Sequence, residues 1–251
     1  YRIMSFIEVK NVSKSYNNKK IYENFSINIE KGKFISFIGA YGSGKTTLLK
    51  MIAGIEDIDA GEIRINNCLP QELKEKQKIG FVFQEPMLLP WRNVVDNITL
   101  PTEFKDKKNI EQAVKMLRLV QLEEKKNSFP HELSGGMQRI VSILRAIVLD
   151  PTVLLMDEPL SAIDEINRDE LHEKLISIHN KDKKTTILVT HSIHEAVYLS
   201  DEIYILGGTP TKIIKKVVPN NPREYGKKFC TETLQQVAEI REELRKAVNY
   251  A

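Results

Sequence analysis

The sequence predicts an α/β fold with a mainly parallel central sheet, and two observations lead to this prediction. Short runs of almost only apolar residues recur at 34–38, 79–83, 153–156 and 186–190, as in strands that are buried on both faces. Between these runs lie segments whose apolar residues repeat every three or four positions, which is the spacing of one helix face. Strands that alternate with helices favour parallel pairing, with helices covering the sheet.

The segment before the first apolar run has the pattern of half-buried strands instead. Phe25, Ile27 and Ile29 alternate with polar residues, which is the period of a strand with one face in water. A polar stretch at 17–20 predicts a turn between this strand and an earlier one that begins near Phe6.

Helices are expected at four places. The first covers 47–53, and Gly54 is placed to end it. A second is expected at 110–120, a third begins near Ser134, and a charged helix at 233–248 lies in the tail. The apolar face of the second helix consists of Ile110, Val114, Leu117 and Val120.

The composition allows one large α/β domain or two small ones and excludes several other classes. Of the 251 residues, 41% are hydrophobic, which is enough for a sizeable core. The net charge of +3 is too balanced to predict a nucleic-acid partner. Cys68 and Cys230 lie far apart in the sequence, so no disulfide framework or zinc site is expected.

The chain is expected to be soluble. Its apolar runs are all shorter than the roughly 18 residues of a membrane span, and the start at Tyr1 lacks the apolar region of a signal peptide. Met4 is a candidate for the natural start, and the sequence leaves open whether the three residues before it are native. Solubility leaves open a partner that is itself bound to a membrane.

The strongest local motif is a glycine-rich loop that joins the run at 34–38 to the first helix. It reads Gly39-Ala40-Tyr41-Gly42-Ser43-Gly44-Lys45-Thr46 and is followed by Thr47. The glycines let backbone N–H groups turn towards phosphate oxygens, and the following helix points its positive end at the same anion. Lys45 adds a charge for the β- and γ-phosphates, and the Thr46 hydroxyl is a ligand for Mg²⁺. The alternative is a chance glycine-rich turn, which the strand before and the helix after disfavour.

Two carboxylates follow the apolar run at 153–156. By themselves, Asp157 and Glu158 would be interpreted as a solvated acidic turn. Beside a phosphate loop they fit the second motif of a nucleotide site, in which Asp157 holds Mg²⁺ through water and Glu158 orients or deprotonates the attacking water.

A third motif, Leu133-Ser134-Gly135-Gly136-Met137, identifies a family resemblance. Its residues alone indicate a helix that Ser134 caps and whose first N–H groups are exposed by two glycines. Together with the motifs above, in this order, it resembles the signature of ATP-binding cassette (ABC) ATPases. The resemblance implies an ABC cassette of the P-loop NTPase class, with an N-terminal antiparallel β subdomain and a helical subdomain inserted at about 86–150. The cassette is expected to span 5–218 and a helical tail 219–251.

The resemblance also assigns roles to residues that, taken one at a time, are weak evidence for a function. It implies that Tyr16 stacks on adenine and that Asp164, in the D-loop, belongs to the nucleotide site. It also implies that Gln84, at the Q-loop, and His191, the switch histidine, are catalytic residues. Lys45 and Glu158 complete the expected catalytic set. The expected cofactors are ATP and Mg²⁺, with Thr46, Gln84 and Asp157 at the metal. Each of these residues also has an ordinary structural interpretation, such as packing for the tyrosine or a structural hydrogen bond for the histidine.

Family members work as head-to-tail dimers, so the resemblance implies a second copy of this chain as partner. Ser134, Gly135 and Gly136 of one copy would then close over ATP bound to the phosphate loop of the other. Because of this closure, ATP binding would favour association of the two copies, and hydrolysis would favour their separation.

The segment 83–92 resembles the importer ATPases of the nitrate, sulfonate and taurine type. This resemblance implies permease subunits as partners, indirect association with an extracytoplasmic substrate-binding protein, and a peripheral position on the cytoplasmic face of the membrane. Leu88, Leu89 and Trp91 would line the groove for the permease, or else pack in the core. An exporter or a non-transport ABC ATPase is the alternative function, and the transported solute is not predicted.

The chain departs from the family at four places, of which Ile163 in place of a common Leu is benign. Tyr41 stands where a small polar residue is usual in the loop. Arg139 and Ile140 replace a common Gln-Arg pair, and Ser192 replaces an Asp after His191.

Overall fold

The computed structural model describes residues 5–102, 107–161, 165–220, 222–223 and 230–249. The chain divides into two compact units, Tyr1–Lys76 with Lys184–Ala251 and Gln77–Lys183. Within the described ranges, no helix is both long enough and apolar enough to cross a membrane.

The secondary structure of these ranges alternates as the sequence predicts. The strands are β1 (Ser5–Tyr16), β2 (Lys19–Glu30), β3 (Phe34–Gly39), β4 (Ala60–Ile65), β5 (Ile79–Val82), β6 (Val153–Asp157), β7 (Thr185–Val189), β8 (Glu202–Gly207) and β9 (Lys212–Val217). The helices are α1 (Lys45–Ile52), α2 (Pro70–Glu75), α3 (Val94–Ile98), α4 (Lys107–Leu119), α5 (Gly135–Ile147), α6 (Glu165–Asp182), α7 (Ile193–Leu199) and α8 (Thr231–Asn249). Short 3-10 turns lie at Leu100–Thr102, Glu123–Lys125 and Pro130–Glu132.

The first unit contains the predicted antiparallel strands. β1 pairs with β2 on one side and β4 on the other, both antiparallel. The turn between β1 and β2 places Asn17 and Asn18 at φ 47° and 64°, a left-handed backbone that asparagine tolerates better than most residues. The expected N-terminal strands are therefore confirmed.

The same unit contains parallel strands that carry the phosphate loop. β3 pairs in parallel with β7 and β8, and β9 is antiparallel to β8. Every residue of β3, β7 and β8 is buried, which explains why these segments are nearly continuous apolar runs. Because β3 and β7 run the same way, the loop after β3 and His191 after β7 follow the same edge of this sheet.

The tail helix α8 packs on this unit. Val237 and Ile240 of α8 are buried with Ile38, Val197 and Ile205, and form one apolar cluster. Helix α8 therefore contributes to the core beneath the strand that leads into the phosphate loop.

The second unit contains β5 and β6, paired in parallel with Ile79 opposite Val153, and helices α3 to α6. The apolar stretch at 79–83 is one residue longer than its strand, since β5 ends at Val82 and the Phe83 side chain is 45% exposed. Helix α4 is confirmed at nearly the predicted position. Its buried residues are Ala113, Met116 and Leu117, with Val120 just beyond its end, whereas the predicted Ile110 is 38% exposed and Val114 is only half-buried.

Candidate functional site

The phosphate loop connects β3 directly to α1, as the sequence predicts. Gly42 and Gly44 have φ of 77° and 78°, a left-handed backbone in which glycine has no steric penalty. A Cβ on Gly44 would lie 2.8 Å from the Ile21 side chain, so the fold excludes any larger residue there.

The Lys45 side chain folds back into the loop. Its ammonium donates to the carbonyl oxygens of Gly39, at 3.0 Å, and Ala40, at 2.8 Å, and lies 3.2 Å from the Ser43 hydroxyl. Lys45 is only 4% exposed, so these oxygens compensate the desolvation of its charge. The loop is thereby closed around a cation at the start of a helix, an arrangement that suits a phosphate anion.

Two further side chains hold the loop, and no motif in the sequence indicates them. The Tyr22 hydroxyl donates to the Gly44 carbonyl at 2.9 Å, and the Thr211 hydroxyl donates to the Ser43 carbonyl at 3.1 Å. Burial raises the pKa of Tyr22 well above its ordinary value, which keeps the hydroxyl protonated as a donor. Both residues are distant in sequence from the loop, so only the folded chain reveals their role.

Tyr16 lies at the end of β1 with 41% of its surface exposed. The Lys14 ammonium lies 5.0 Å from the centroid of the Tyr16 ring, and burial, together with the nearby Glu56 carboxylate, raises the pKa of the Tyr16 hydroxyl. Lys14 also forms an ion pair with Glu56 at 2.7 Å. Tyr16 thus lies beside two charged neighbours, Lys14 and Glu56.

His191 follows β7 and is exposed. Its ring stacks with that of Tyr41, with centroids 6.2 Å apart and planes inclined by 23°. The neighbouring Ser192 caps α7, since its hydroxyl accepts from the Glu195 N–H at 3.2 Å. The structure therefore gives the replacement at 192 a structural role.

The second unit holds the acidic motif. Asp157 ends β6 and is 8% exposed, and the Gln84 amide donates to the Glu158 carboxylate at 3.2 Å. Glu158 has φ of 47°, an uncommon conformation for a residue with a side chain and one that concentrates at functional sites. The structure thus brings together Gln84 and Glu158, two residues that are 74 positions apart.

The signature motif begins α5, as predicted. The Ser134 hydroxyl accepts from the Met137 N–H at 3.3 Å, which confirms the predicted cap. A Cβ on Gly135 would meet no atom within 4 Å, so packing within the described chain does not require glycine here. The open space beside this helix start leaves its backbone N–H groups accessible.

The substituted pair in α5 has a clear structural basis. Ile140 is fully buried and belongs to the apolar face of the helix. Arg139 donates to the Ser161 carbonyl at 3.2 Å, at the start of the segment that leads to Asp164. Asp164 itself, with Ala162 and Ile163, lies outside the described residues.

The segment after Gln84 presents large apolar side chains to solvent. Met87 is 61% exposed and Trp91 72%, so core packing is the wrong interpretation for Trp91, whereas Leu88 and Leu89 are half-buried. The buried Asn97 amide accepts from the Leu89 N–H at 2.8 Å and donates to the Leu89 carbonyl at 3.1 Å.

Arg145 supports the same segment from α5. Its guanidinium donates to the carbonyls of Met87 and Pro86 at 2.7 and 2.8 Å. Asn97 and Arg145 hold the backbone of this segment, while the Met87 and Trp91 side chains remain exposed. Neither residue was identified from the sequence.

Comparison with known proteins agrees with these motifs. The ABC transporter family profile matches residues 22–161. An aliphatic sulfonates import ATP-binding protein of Bacillus cereus is 40% identical over 91% of this chain and 89% of its own length. A taurine import ATP-binding protein of Rhizobium johnstonii is 36% identical over 88% of this chain and 86% of its own length.

A solved structure gives the same result for the fold. A dimeric ATP-binding cassette in a post-hydrolysis state, bound to ADP and Pi, superposes with a TM-score of 0.74 at 30% identity, covering 86% of this chain and 99% of that one. The fold class and the family predicted from the sequence are both confirmed. The chain belongs to the ABC transporter family, as one of its ATP-binding proteins.

Proposed function

We propose that this chain hydrolyses MgATP in a head-to-tail dimer with a second copy of itself and thereby drives solute uptake through a separate permease. It is the ATPase subunit of an ABC importer. The observation that carries the proposal is the phosphate loop, which is closed around the buried Lys45 at the start of α1. The sulfonate and taurine import proteins that resemble it support the direction of transport.

ATP binds along the first unit. Tyr16 stacks on adenine, and the backbone from Gly39 to Thr46, continuing to Thr47, surrounds the phosphates. Lys45 exchanges its bonds to the loop carbonyls for bonds to phosphate oxygens, which are better partners because they carry charge. His191 contacts the γ-phosphate.

By the family resemblance, the residues that would hold Mg²⁺ are Thr46, through its hydroxyl, Gln84 and, through water, Asp157. These oxygen donors suit a small, hard cation that keeps part of its water shell. Glu158 accepts a proton from the attacking water. Its hydrogen bond with Gln84 supports this role, because it holds the carboxylate beside a residue that contacts the same phosphate group.

The second copy completes the site. Ser134, Gly135 and Gly136 of one copy bind ATP on the loop of the other. The open space at Gly135 supports this arrangement, because it leaves room for phosphate oxygens at the start of a helix. The same helix carries the cap that orients its first N–H groups.

The permease docks on the surface formed by Phe83, Met87 and Trp91. These side chains are 45%, 61% and 72% exposed, respectively. Large apolar residues exposed in a rigid segment are unfavourable unless a partner covers them, so their exposure supports a docking role. The chain therefore works peripherally on the cytoplasmic face of the membrane, and an extracytoplasmic binding protein delivers the solute to the permease.

The cassette comprises 5–218, with its helical subdomain at about 86–150 and the tail at 219–251.

The proposal is tested by isolating the chain from its native membrane. Co-purification with a multi-span permease, together with ATP-dependent recruitment of a solute-loaded binding protein, is the expected result. The ligand held by that binding protein identifies the solute. Recovery with a permease that needs no binding protein would favour an exporter, and recovery only with ribosomes or DNA would overturn the transport function.

A further inference from the structure

The phosphate loop is held by two hydroxyl groups that come from distant parts of the chain. The Tyr22 hydroxyl donates to the Gly44 carbonyl at 2.9 Å, and the Thr211 hydroxyl donates to the Ser43 carbonyl at 3.1 Å. Tyr22 is fully buried and Thr211 is 4% exposed, so both donors lie in the interior. The two carbonyls that they bind belong to consecutive residues of the loop.

The two donors share a common support. The Thr211 N–H donates to the Ile21 carbonyl at 2.7 Å, and Thr211 and Tyr22 pair as an isolated parallel β-bridge between β2 and the segment just before β9. The Tyr22 ring also makes an edge-to-face contact with Phe25, with centroids 4.9 Å apart. Both hydroxyls therefore reach the loop from neighbouring points of the same sheet edge.

The bond from Thr211 orients one peptide plane of the loop. A peptide bond is planar, and in its trans form the carbonyl and the following N–H point in opposite directions. Because the Ser43 carbonyl points to the Thr211 hydroxyl, the Gly44 N–H in the same plane points away from Thr211.

The next peptide plane, between Gly44 and Lys45, is oriented by two donors. The Leu48 N–H makes the first intrahelical bond of α1 to the Gly44 carbonyl at 2.9 Å, and the Tyr22 hydroxyl adds its bond from the side. A Cβ at Gly44 would lie 3.0 Å from the Tyr22 hydroxyl, so this approach depends on glycine. The Lys45 N–H accordingly points away from Tyr22.

We propose that Tyr22 and Thr211 are positioning residues for ATP binding, which hold two successive peptide planes so that the Gly44 and Lys45 N–H groups face the phosphates before nucleotide arrives. The inference rests on the proposed function, because it takes the loop as the phosphate site. Donors that are already oriented bind a ligand without the cost of ordering the loop. Two hydroxyls bonded only to the loop's carbonyl side thus contribute to nucleotide affinity.

Calorimetry of the full-length chain with inorganic tripolyphosphate and with MgATP tests the inference, because both ligands carry the phosphates. Tyr22→Phe and Thr211→Val each remove a hydroxyl while nearly keeping the size of the side chain. Each should weaken the binding of both ligands by about two- to tenfold, the range expected for one hydrogen bond. Thr211→Ser, which keeps the hydroxyl, should retain most of the affinity.

Tyr204→Phe is the matched control. Tyr204 is 5% exposed, and its hydroxyl donates to the Glu202 carboxylate at 2.9 Å, so this variant also loses a buried hydroxyl bond, but one outside the loop. Both of its affinities should equal those of the wild type. A lower Tm for Tyr22→Phe with both affinities unchanged, weakening of MgATP alone, or equal weakening in Tyr204→Phe would overturn the positioning role.

Lys45→Ala separates this inference from the proposed function. If Lys45→Ala weakens both ligands while Tyr22→Phe and Thr211→Val do not, the positioning role is wrong and the loop remains the phosphate site. If Lys45→Ala also leaves both affinities unchanged, the loop does not bind phosphate, and the proposed function is wrong as well.

Discussion

The ammonium of Lys14 lies 5.0 Å from the centroid of the Tyr16 ring and 2.7 Å from the Glu56 carboxylate. Lys14 is buried in this position, and it also donates to the Asp57 carbonyl at 2.7 Å. A desolvated cation beside an aromatic ring is attracted to the ring's electron density. The cluster thus ties Tyr16, the residue proposed to stack on adenine, to the segment that follows α1.

We predict that Lys14→Met weakens ATP binding by about three- to tenfold, since a Tyr16 ring that is no longer held must be ordered by the nucleotide. Inorganic tripolyphosphate, which lacks the base, should bind with unchanged affinity. Titration calorimetry with both ligands measures the difference, and Lys10→Met, at an exposed position on the same strand, is the control. Equal weakening for both ligands would show that Lys14 acts on the loop rather than on Tyr16.

The same ion pair predicts a pH-dependent contribution to stability. Hydrogen bonds from Lys14 and Tyr16 lower the pKa of Glu56 below its ordinary value of 4.5, and its bond to Glu56 raises the pKa of Lys14 above 10.5. The stabilisation is therefore complete between these two values, is lost as the pH falls through the folded pKa of Glu56, and is lost at high pH only above 10.5.

Lys14→Met should accordingly lower Tm by about 2 °C near pH 7, as expected in a chain of this size for a single ion pair whose Glu56 carboxylate is partly exposed. The difference from wild type should shrink progressively below pH 4.5. Thermal melts followed by circular dichroism across this range provide the measurement. A difference that stays constant down to pH 3 would mean that packing, and not the charge pair, accounts for it.

Lys45→Ala should reduce ATP affinity by at least about tenfold, because a charge-assisted bond to phosphate is lost. Calorimetry with MgATP measures the loss of affinity. A thermal melt without nucleotide shows whether the variant is also destabilised by losing the three contacts that Lys45 makes within the loop. Lys50→Ala, in the last turn of the same helix, is the matched control. An unchanged Kd for Lys45→Ala would count against the phosphate loop as the binding element.

Trp91→Ala should weaken association with the permease by about 30-fold, which is typical for truncation of an aromatic residue at the centre of an interface. Binding to detergent-solubilised permease measures this directly. Ile214, an exposed apolar residue on β9, provides the control variant Ile214→Ala. Equal binding by both variants would place the docking surface elsewhere.

The parts of this protein that are local in sequence could be predicted from it. The phosphate loop, the Ser134 cap and the buried strands depend on glycine positions, capping chemistry and apolar periodicity, each of which is encoded within a few residues. Their elements were predicted to within a few residues and are confirmed.

The contacts between distant segments could not be predicted. Lys14 and Glu56 lie on β1 and after α1, and the stack between Tyr41 and His191 joins residues that follow different strands. Neither apolar periodicity nor motif spacing in the sequence indicates which of these distant residues pair, because the residues meet only when their strands lie side by side in the fold. The exposure of Trp91 is likewise a tertiary property, since an apolar residue beside a proline fits a core or a surface equally well.

The central claim, that Glu158 activates water for ATP hydrolysis in a dimer, is tested most directly by the steady-state phosphate release of Glu158→Gln. The amide keeps the shape and a hydrogen bond to Gln84 but cannot accept the proton, so we expect turnover to fall by about 100-fold or more. ATP binding should persist, and the variant should accumulate as an ATP-bound dimer in light scattering. Turnover at the wild-type rate, with no ATP-dependent dimer, would contradict the account.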